Sequence, residues 1–307
     1  MRKEIIYELE SAHRDDLRVT AYHFGKGKKS VCILGALRGN EVQQMYICSR
    51  LVKQFKELEA CGKIKEDHEI VVIPSVNHYA MNIKKRFWAV DNTDINRMFP
   101  GYDKGETTQR IAAAVFDYVK EYTYGIQFSS FYMEGEFMPH VRQMATGYQN
   151  AALAKAFGLK YVLIRTPKPF DTTTLNYNWQ VWNTNAFSIY TYETKNIKED
   201  AADVGVEAVL RFLAKVGIIE GETAKTKDIK VLQEDSLKIV KSPTGGIYRR
   251  VAGQGDLVKK GDVLARVIHP YEGEVLAEIT APADGEIFFA YRSQLVTEEQ
   301  ILFKMIG

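Results

Sequence analysis

Apolar positions in the first two thirds of the chain alternate between two kinds of periodic pattern. Residues 30–35 form an apolar, β-branched run that is typical of a buried strand. After it, Ile47, Leu51 and Phe55 recur at a spacing of four, which places them on one face of a helix. A second apolar run covers residues 69–76. A strand, a helix and a strand in this order predict a βαβ unit in a largely parallel sheet.

The same alternation continues to about residue 220. Ile111, Val115 and Tyr118 form a helical stripe, residues 161–164 and 188–192 are typical of strands, and residues 203–216 are typical of a helix. The glycine- and lysine-rich residues 25–29 precede a strand, so they predict a hairpin turn and not a phosphate loop. The periodicity therefore predicts an α/β domain over residues 1–220.

The C-terminal part of the chain has a different pattern. Residues 221–228 are polar and have no hydrophobic period, which indicates a linker. Beyond it, glycines separate short alternating runs, and the pattern of residues 242–264 returns in residues 281–302. We expect a small all-β domain over residues 231–307, built from two interlocked halves.

These halves resemble the barrel-sandwich hybrid of biotinyl and lipoyl carriers. The central segment, residues 268–279, has no lysine where such a carrier presents one, and Lys304 lies in a predicted terminal strand. We therefore expect no modified lysine, and a structural or assembly role for this domain.

Composition narrows the class of function. The formal net charge of +2 is too small to indicate a nucleic-acid-binding surface. No apolar run is long enough to span a bilayer. The N-terminus lacks the apolar core of a signal peptide, so we expect a cytoplasmic protein without a membrane partner. Cys32, Cys48 and Cys61 lack paired spacing and predict free thiols.

Residues 77–101 combine many Asn, Asp and Arg side chains in a long connection after a predicted strand. Long loops at strand ends are where α/β proteins place binding groups, so this loop is a candidate site. An ordered surface loop is the alternative. Tyr177, Trp179 and Trp182 form an aromatic cluster that predicts either core packing or the lining of a pocket.

Residues 94–101, DINRMFPG, closely resemble the D-x-N-R-x-F-P-G block of the succinylglutamate desuccinylase/aspartoacylase branch of zinc carboxypeptidase-like proteins. The resemblance covers most of residues 30–215 and implies a mixed sheet flanked by helices. The family's G-x-H-G-N-E motif corresponds to residues 35–41, where Glu41 matches and Arg38 replaces the histidine. In the family's D-L-H motif, Ser129 occupies the position of the second histidine.

The family binds zinc through two histidines and a glutamate, so this chain has only Glu41 of the three ligands. Arginine stays protonated in proteins and repels a dication, and hydrolytic zinc needs about three protein ligands. We expect the inherited position to be free of metal, with Arg38 paired to Glu41. A shifted metal site is the alternative, formed by Glu41 with Glu134, Glu136 and His140.

The resemblance also implies roles for residues around the site. Glu193 matches the family's catalytic glutamate, and a carboxylate-binding pocket would be lined by the residues Arg38, Arg86, Asn96, Arg97 and His140. Three functions follow from these features. The first is a metal-dependent hydrolase that cleaves the amide of an N-acyl amino acid or a short peptide, with Glu193 as general base. The second is a metal-free pseudoenzyme that binds a small anionic amide or peptide, and the third is a scaffold that forms homo-oligomers or partner contacts.

Overall fold

The computed structural model describes residues 1–12, 15–131, 133–192, 194–221 and 228–307. The chain forms two compact units: unit 1 comprises Met1–Ser130 and Pro139–Val231, and unit 2 comprises Phe131–Met138 and Leu232–Gly307. Unit 2 therefore includes a short segment from the middle of the sequence. The periodic pattern did not indicate this, because it predicted residues 131–138 as part of the first domain. Most of the predicted linker, residues 222–227, lies outside the described residues.

Strands and helices alternate along most of residues 1–233, as the apolar pattern predicts. The strands are β1 Arg2–Leu9, β2 Leu17–Gly25, β3 Lys28–Ala36, β4 His68–Ser75, β5 Tyr124–Phe128, β6 Gly135–Phe137, β7 His140–Met144, β8 Tyr161–Arg165, β9 Asn185–Tyr190 and β10 Lys230–Gln233. The helices are α1 Val42–Ala60, α2 His78–Asn82, α3 Thr107–Val119, α4 Ala151–Ala154, α5 Leu175–Val181 and α6 Glu199–Lys215. Short 3₁₀ turns cover Ile95–Arg97, Lys155–Phe157 and Pro169–Asp171.

Unit 1 is built on a mixed sheet in the order β1-β2-β4-β3-β5-β9-β7-β8-β10, and Lys230 and Val231 are the residues of β10 that belong to unit 1. Strands β4, β3, β5 and β9 run parallel to one another, which confirms the predicted βαβ unit of β3, α1 and β4, whereas β2 is antiparallel to β4 and β7 is antiparallel to β9. The predicted hairpin at residues 25–29 is wrong. Strand β4 lies between β2 and β3 and pairs with both, so the turn joins two strands that are not neighbours.

Helices cover both faces of this sheet. Ile47, Leu51 and Phe55 of α1 pack with Phe212 of α6 in one apolar cluster, and the stripe of α3 packs in a second cluster. Trp179 of α5 joins the second cluster, is fully buried and donates its indole N–H to the carbonyl of Val119 at 3.1 Å. The packing interpretation of the aromatic cluster therefore holds for Trp179, whereas the side chain of Trp182 is about half exposed.

The later strands of unit 2 are β11 Lys238–Lys241, β12 Gly246–Arg250, β13 Leu257–Val258, β14 Val263–Ile268, β15 Val275–Thr280, β16 Gly285–Tyr291, β17 Leu295–Val296 and β18 Ile301–Ile306, with a 3₁₀ turn at Glu234–Ser236. In unit 2 a long strand, a two-residue strand and a second long strand follow one another in each half, as β12 to β14 and as β16 to β18. The short strand of each half pairs with the long strand of the other: β13 with β16, and β17 with β12. This exchange has the interlocked form that the sequence repeat predicts.

The segment from residue 131 to 138 is held inside unit 2 by both backbone and side chains. Strand β6 pairs antiparallel with β16, and the ring of Phe137 lies 4.4 Å from that of Phe289. Glu136 forms an ion pair with Arg250 at 2.9 Å. In the same unit Lys304 pairs with buried Glu234 at 3.1 Å.

Among the described residues, no helix combines the length and the apolar character that a membrane crossing needs.

Candidate functional site

The candidate site lies at one edge of the sheet of unit 1, where three neighbouring parallel strands end. The chain leaves β3 at Ala36 and forms the loop that contains Arg38 and Glu41, and it leaves β5 at Phe128 and continues to Ser130. Asp94 belongs to the long connection after β4, the other neighbour of β3. Carboxyl ends of parallel strands meet at one edge, which is the usual place for a site in an open α/β sheet.

Glu41 is buried at the start of α1, and both of its carboxylate oxygens are engaged. Oε2 accepts the backbone N–H groups of Leu37 at 2.8 Å and Arg38 at 3.0 Å. Oε1 accepts from the guanidinium of Arg38 at 3.1 Å and from the hydroxyl of Ser130 by a short hydrogen bond. The carboxylate is therefore fixed by four donors of its own chain.

Arg38 is buried between two carboxylates. Its Nε lies 3.0 Å from both oxygens of Asp94, its Nη2 lies 2.9 Å from Oδ2 of Asp94, and its Nη1 bonds Glu41. Burial by itself would lower the pKa of Arg38, but the negative charges of Glu41 and Asp94 outweigh it and raise that pKa above its usual value. The guanidinium is therefore a permanent cation that bridges the β3 loop and the β4 connection.

The segment after Asp94 is ordered by its own polar side chains. Asp94 caps the turn Ile95–Arg97 by accepting the N–H of Asn96 at 3.0 Å. The side-chain oxygen of buried Asn96 accepts the N–H of Leu175, which ties the loop to α5. The guanidinium of Arg97 donates to the carbonyl of Phe170 at 2.5 Å and lies 3.5 Å from Asp171. Arg97 is thus turned toward the Pro169–Asp171 segment.

Arg86 differs from these two arginines in its surroundings. Its carbonyl accepts the N–H of Gly39, which places it beside the β3 loop, and its side chain is half-buried. In the parts of the chain that the structure describes, no carboxylate lies within ion-pair distance of its guanidinium. Burial, followed by repulsion from Arg38, lowers the pKa of Arg86 below its usual value. Among the described residues, Arg86 is therefore a half-buried cation beside the site without a carboxylate at ion-pair distance.

Three comparisons with known proteins bear on this edge. The family model for the succinylglutamate desuccinylase/aspartoacylase catalytic domain matches residues 27–216. The chain belongs to the succinylglutamate desuccinylase/aspartoacylase family. The match covers β3 to α6 and contains every residue described above at this edge.

Individual relatives of this deacylase family are distant in sequence and similar in fold. The N-alpha-acetyl-L-2,4-diaminobutyric acid deacetylase of Halomonas elongata is 24% identical over 271 residues, which cover 81% of this chain and 73% of the deacetylase. A succinylglutamate desuccinylase/aspartoacylase of Rhodobacter sphaeroides superposes with a TM-score of 0.78 at 17% identity, over 95% of this chain and 89% of that one. The product-bound ectoine utilization protein EutE (DoeB) of Ruegeria pomeroyi gives 0.78 at 19% identity, over 97% and 93%. Family and relatives support a deacylase or amidohydrolase class of function.

The zinc of such deacylases does not fit the groups present here. Glu41 has no free oxygen, and the neighbouring group at the first histidine position is the cation Arg38. Ser129, at the second histidine position, offers a neutral oxygen, and its backbone N–H and carbonyl bond Ile189 and Gln44. Zinc prefers about three nitrogen, sulfur or carboxylate ligands with one open position. Of these three side chains, only Glu41 is a usual zinc ligand, and its carboxylate already accepts four hydrogen bonds.

The shifted metal site expected as an alternative is not assembled. Within the described ranges, no group of three or more His, Cys, Asp or Glu side chains could hold a metal ion. Glu134 and Glu136 belong to unit 2, where Glu136 pairs with Arg250. His140 is buried on β7 of unit 1 and its ring stacks on that of Tyr190 at 4.8 Å. Glu136 and His140 therefore each have a partner within their own unit.

One predicted residue and two missed ones remain to be placed. Glu193 lies outside the described residues, so its predicted catalytic role stays a prediction. Its neighbour Thr194 accepts the N–H of Gln43 in the first turn of α1. Sequence reasoning missed Asp94 and Ser130 as partners of Arg38 and Glu41, although Asp94 begins the recognised block. Buried charges are usually paired, and Asp94 in the recognised block was a candidate partner for Arg38.

Proposed function

We propose that this chain binds a small carboxylate-bearing N-acyl amino acid or short peptide at the β3–β5 edge, without zinc-dependent hydrolysis. The ion pairs of Arg38 with Glu41 at 3.1 Å and with Asp94 at 2.9 Å carry this proposal. They put a fixed positive charge beside the glutamate that would otherwise hold the metal. A cation of this kind preserves attraction for anions and supplies no Lewis acid.

Arg86 is the group that we expect to meet the ligand carboxylate. It is half-buried and has no carboxylate partner in the described chain, and burial lowers its pKa, so an incoming carboxylate would relieve an unfavourable charge. Arg97, about a third exposed, is a second cation in the same connection and shares Asp171 with Arg165. The names of the relatives supply the ligand class: an Nα-acetylated diamino acid for the Halomonas enzyme and N-succinylglutamate for the family.

A zinc-dependent deacylase is the second candidate, and the family match favours it. In that function Glu193 would act as general base, and Arg97 would hold the substrate carboxylate. The third candidate, a scaffold, would use unit 2, which we infer to be a carrier-like domain without a modified lysine. Of the three, the binding protein alone uses the pairing of Arg38 as it stands.

Three measurements on the full chain separate these candidates. The protein is purified without added metal and analysed for zinc, and then assayed for hydrolysis of Nα-acetyl-L-2,4-diaminobutyrate and N-succinyl-L-glutamate with zinc and with chelator. Binding of both compounds is measured by titration calorimetry. We expect binding, less than stoichiometric zinc and no chelator-sensitive hydrolysis. Stoichiometric zinc with chelator-sensitive turnover would establish the deacylase instead, and absence of both binding and turnover would favour the scaffold.

A matched pair of variants localises the binding. Arg86→Gln removes the unpaired cation and is expected to weaken the carboxylate ligand about tenfold, the usual size for one charge-assisted hydrogen bond. Lys56→Gln, on the exposed face of α1, removes one charge away from the site and should change nothing. Equal affinities in both variants would refute the assignment of Arg86.

A further inference from the structure

Gly39 is the point where two loops of unit 1 touch beside the candidate site. It is buried in the loop between β3 and α1. Its N–H donates to the carbonyl of Arg86 at 3.0 Å. Arg86 belongs to the long connection after β4, so this hydrogen bond joins the loop after β3 to the segment that carries the half-buried cation.

A side chain at Gly39 has no room. A Cβ atom at this position would lie 2.2 Å from the carbonyl oxygen of Lys85 and 2.4 Å from the carbonyl carbon of Ala80. Non-bonded carbon atoms pack at about 3.5–4.0 Å, and both obstructing atoms belong to the backbone, so no side-chain rotation relieves the clash. Glycine is therefore required for the close approach of the two loops.

The segment around Arg86 is anchored on both sides. Before it, the N–H of Lys85 donates to the carbonyl of Ala80 at 2.9 Å, and Ala80 itself is fully buried. After it, the ring of Trp88 is buried and stacks on the ring of Tyr79 at 5.9 Å. Because the backbone is held at both ends, a displacement at the contact with the β3 loop moves the residue between them.

The guanidinium of Arg86 lies near the ion pairs at the strand edge. Burial first, and then repulsion from Arg38, lowers the pKa of Arg86, and the carboxylates of Glu41 and Asp94 oppose this in part. Such charge interactions weaken with distance, so the three charged groups must be close to this guanidinium. A shift of the Arg86 backbone would therefore move a positive charge within the candidate site.

We propose that Gly39 is a positioning residue for Arg86 and thereby sets how well the site recognises a ligand carboxylate. The inference rests on the function proposed above, in which Arg86 meets that carboxylate. Any side chain at position 39 would push the Arg86 segment away from the β3 loop. Charge-assisted hydrogen bonds depend on the distance and angle between donor and acceptor, so this displacement weakens the ligand.

Gly27 provides a matched control at the other end of β3. A Cβ atom at Gly27 would lie 1.9 Å from the carbonyl carbon of Asp67, whose carbonyl oxygen accepts the N–H of Lys28 at 3.0 Å. Gly27→Ala thus introduces the same kind of backbone clash at the amino end of the strand, away from the carboxyl edge that carries the site. Gly39→Ala and Gly27→Ala are both expected to lower the urea midpoint, so stability alone does not separate them.

Titration calorimetry on the full chain separates them with Nα-acetyl-L-2,4-diaminobutyrate and its carboxamide. Gly39→Ala should bind the carboxylate compound about tenfold more weakly than the parent, as Arg86→Gln does, and the carboxamide equally well. Gly27→Ala should bind both compounds like the parent. Adding Gly39→Ala to Arg86→Gln should cause no further loss, because both changes remove the same interaction.

Hydrogen–deuterium exchange gives a readout that needs no ligand. Peptides that cover residues 80–88 should exchange faster in Gly39→Ala than in the parent and in Gly27→Ala. Unchanged exchange there, a parent-like affinity of Gly39→Ala, or a further loss in the double variant would each overturn the inference. If the parent binds neither compound, the proposed function is wrong, and hydrogen exchange still decides whether Gly39 positions the Arg86 segment.

Ala80→Gly tests the same contact without a clash, in case Gly39→Ala does not fold. The methyl group of Ala80 would lie 2.6 Å from a Cβ atom at Gly39, so it packs directly against the glycine. Its removal should loosen the segment and weaken the carboxylate compound in the same direction, by less than Arg86→Gln does. A parent-like affinity and parent-like exchange of residues 80–88 in Ala80→Gly would overturn the inference.

Discussion

Arginine is found in two opposite settings in this molecule. At the sheet edge of unit 1, Arg38 is buried and fully engaged by Glu41 and Asp94. In unit 2, Arg266 pairs with Glu278 at 2.8 Å, and the side chains of both residues are about half exposed. The pair of Arg38 joins two loops in a buried place, whereas the pair of Arg266 joins two strands at a surface that water reaches. Burial, and not the residue type, decides how much an arginine contributes to the fold.

The strongest test of this contrast removes the engaged arginine. Arg38→Met would leave the carboxylates of Glu41 and Asp94 without their cation in a buried place. Removing one partner of a buried pair typically costs about 3–5 kcal/mol. We expect a loss of that size in the free energy of unfolding, measured by urea denaturation.

The matched control is an exposed ion pair in unit 2. Arg266→Met breaks the pair with Glu278, whose two side chains are about half exposed. Pairs of this kind contribute about 1 kcal/mol or less, so the control should lose no more than that. If Arg38→Met were as mild as this control, Arg38 would not be an internal counter-ion.

The second test restores the ligands that the family uses. The double change Arg38→His with Ser129→His, beside Glu41, would give three zinc ligands of the usual types. We expect zinc affinity about a hundredfold above that of either single variant, because each single variant has only two protein ligands. Competition with a metal-sensitive dye measures this difference. Equal affinity in the three variants would show that the positions do not converge on one ion.

The third test concerns Ser130, the smallest side chain that is hydrogen-bonded to Glu41 beside Arg38. Ser130 donates a short hydrogen bond to Oε1 of Glu41, and Ser130→Ala would remove one of four donors to a buried carboxylate. A hydrogen bond to a charged group contributes about 1.5–3 kcal/mol, so we expect a loss near the lower end, where three donors remain.

The control for this test is a serine with a neutral, exposed hydrogen bond. Ser236 donates to the carbonyl of Gln233 at 2.7 Å. Ser236→Ala should cost about 0.5 kcal/mol or less, as is usual for surface changes. Urea denaturation of both variants gives the comparison, and identical losses would remove Ser130 from the network.

The sequence predicted the parts of this molecule that depend on local pattern. The stripes of α1 and α3 and the block beginning at Asp94 are visible because their residues are close along the chain. Strand order is different, because β4 enters between β2 and β3 through long-range pairing that the glycine-rich turn cannot reveal. The transfer of β6 to unit 2 depends in the same way on its pairing with distant β16.

In the candidate site, too, contacts between residues close in sequence were predicted and contacts between distant residues were not. A motif comparison identified Arg38 and Glu41 and predicted their pairing, which the structure shows at 3.1 Å. It did not predict that Asp94 would share the guanidinium, since the two residues are 56 positions apart. It also grouped Glu134 and Glu136 with His140 because they are near in sequence, although the chain passes from unit 2 to unit 1 between Met138 and Pro139.

The smallest expected effect on stability comes from Arg86, and it sharpens the contrast within unit 1. The pKa of this cation is lower in the folded chain than in the unfolded chain, first because of burial and then because of Arg38. A cation with a depressed folded pKa destabilises the fold at every pH below that pKa, which includes the whole neutral range. Arg86→Gln should therefore leave the free energy of unfolding within about 0.5 kcal/mol of the parent value or raise it, with no pH dependence between pH 6 and 8, on the order of a surface change. Urea denaturation at both pH values measures this. A loss as large as that of Arg38→Met would mean that Arg86 has a structural counter-ion in the folded chain, and its assignment to an outside carboxylate would then be wrong.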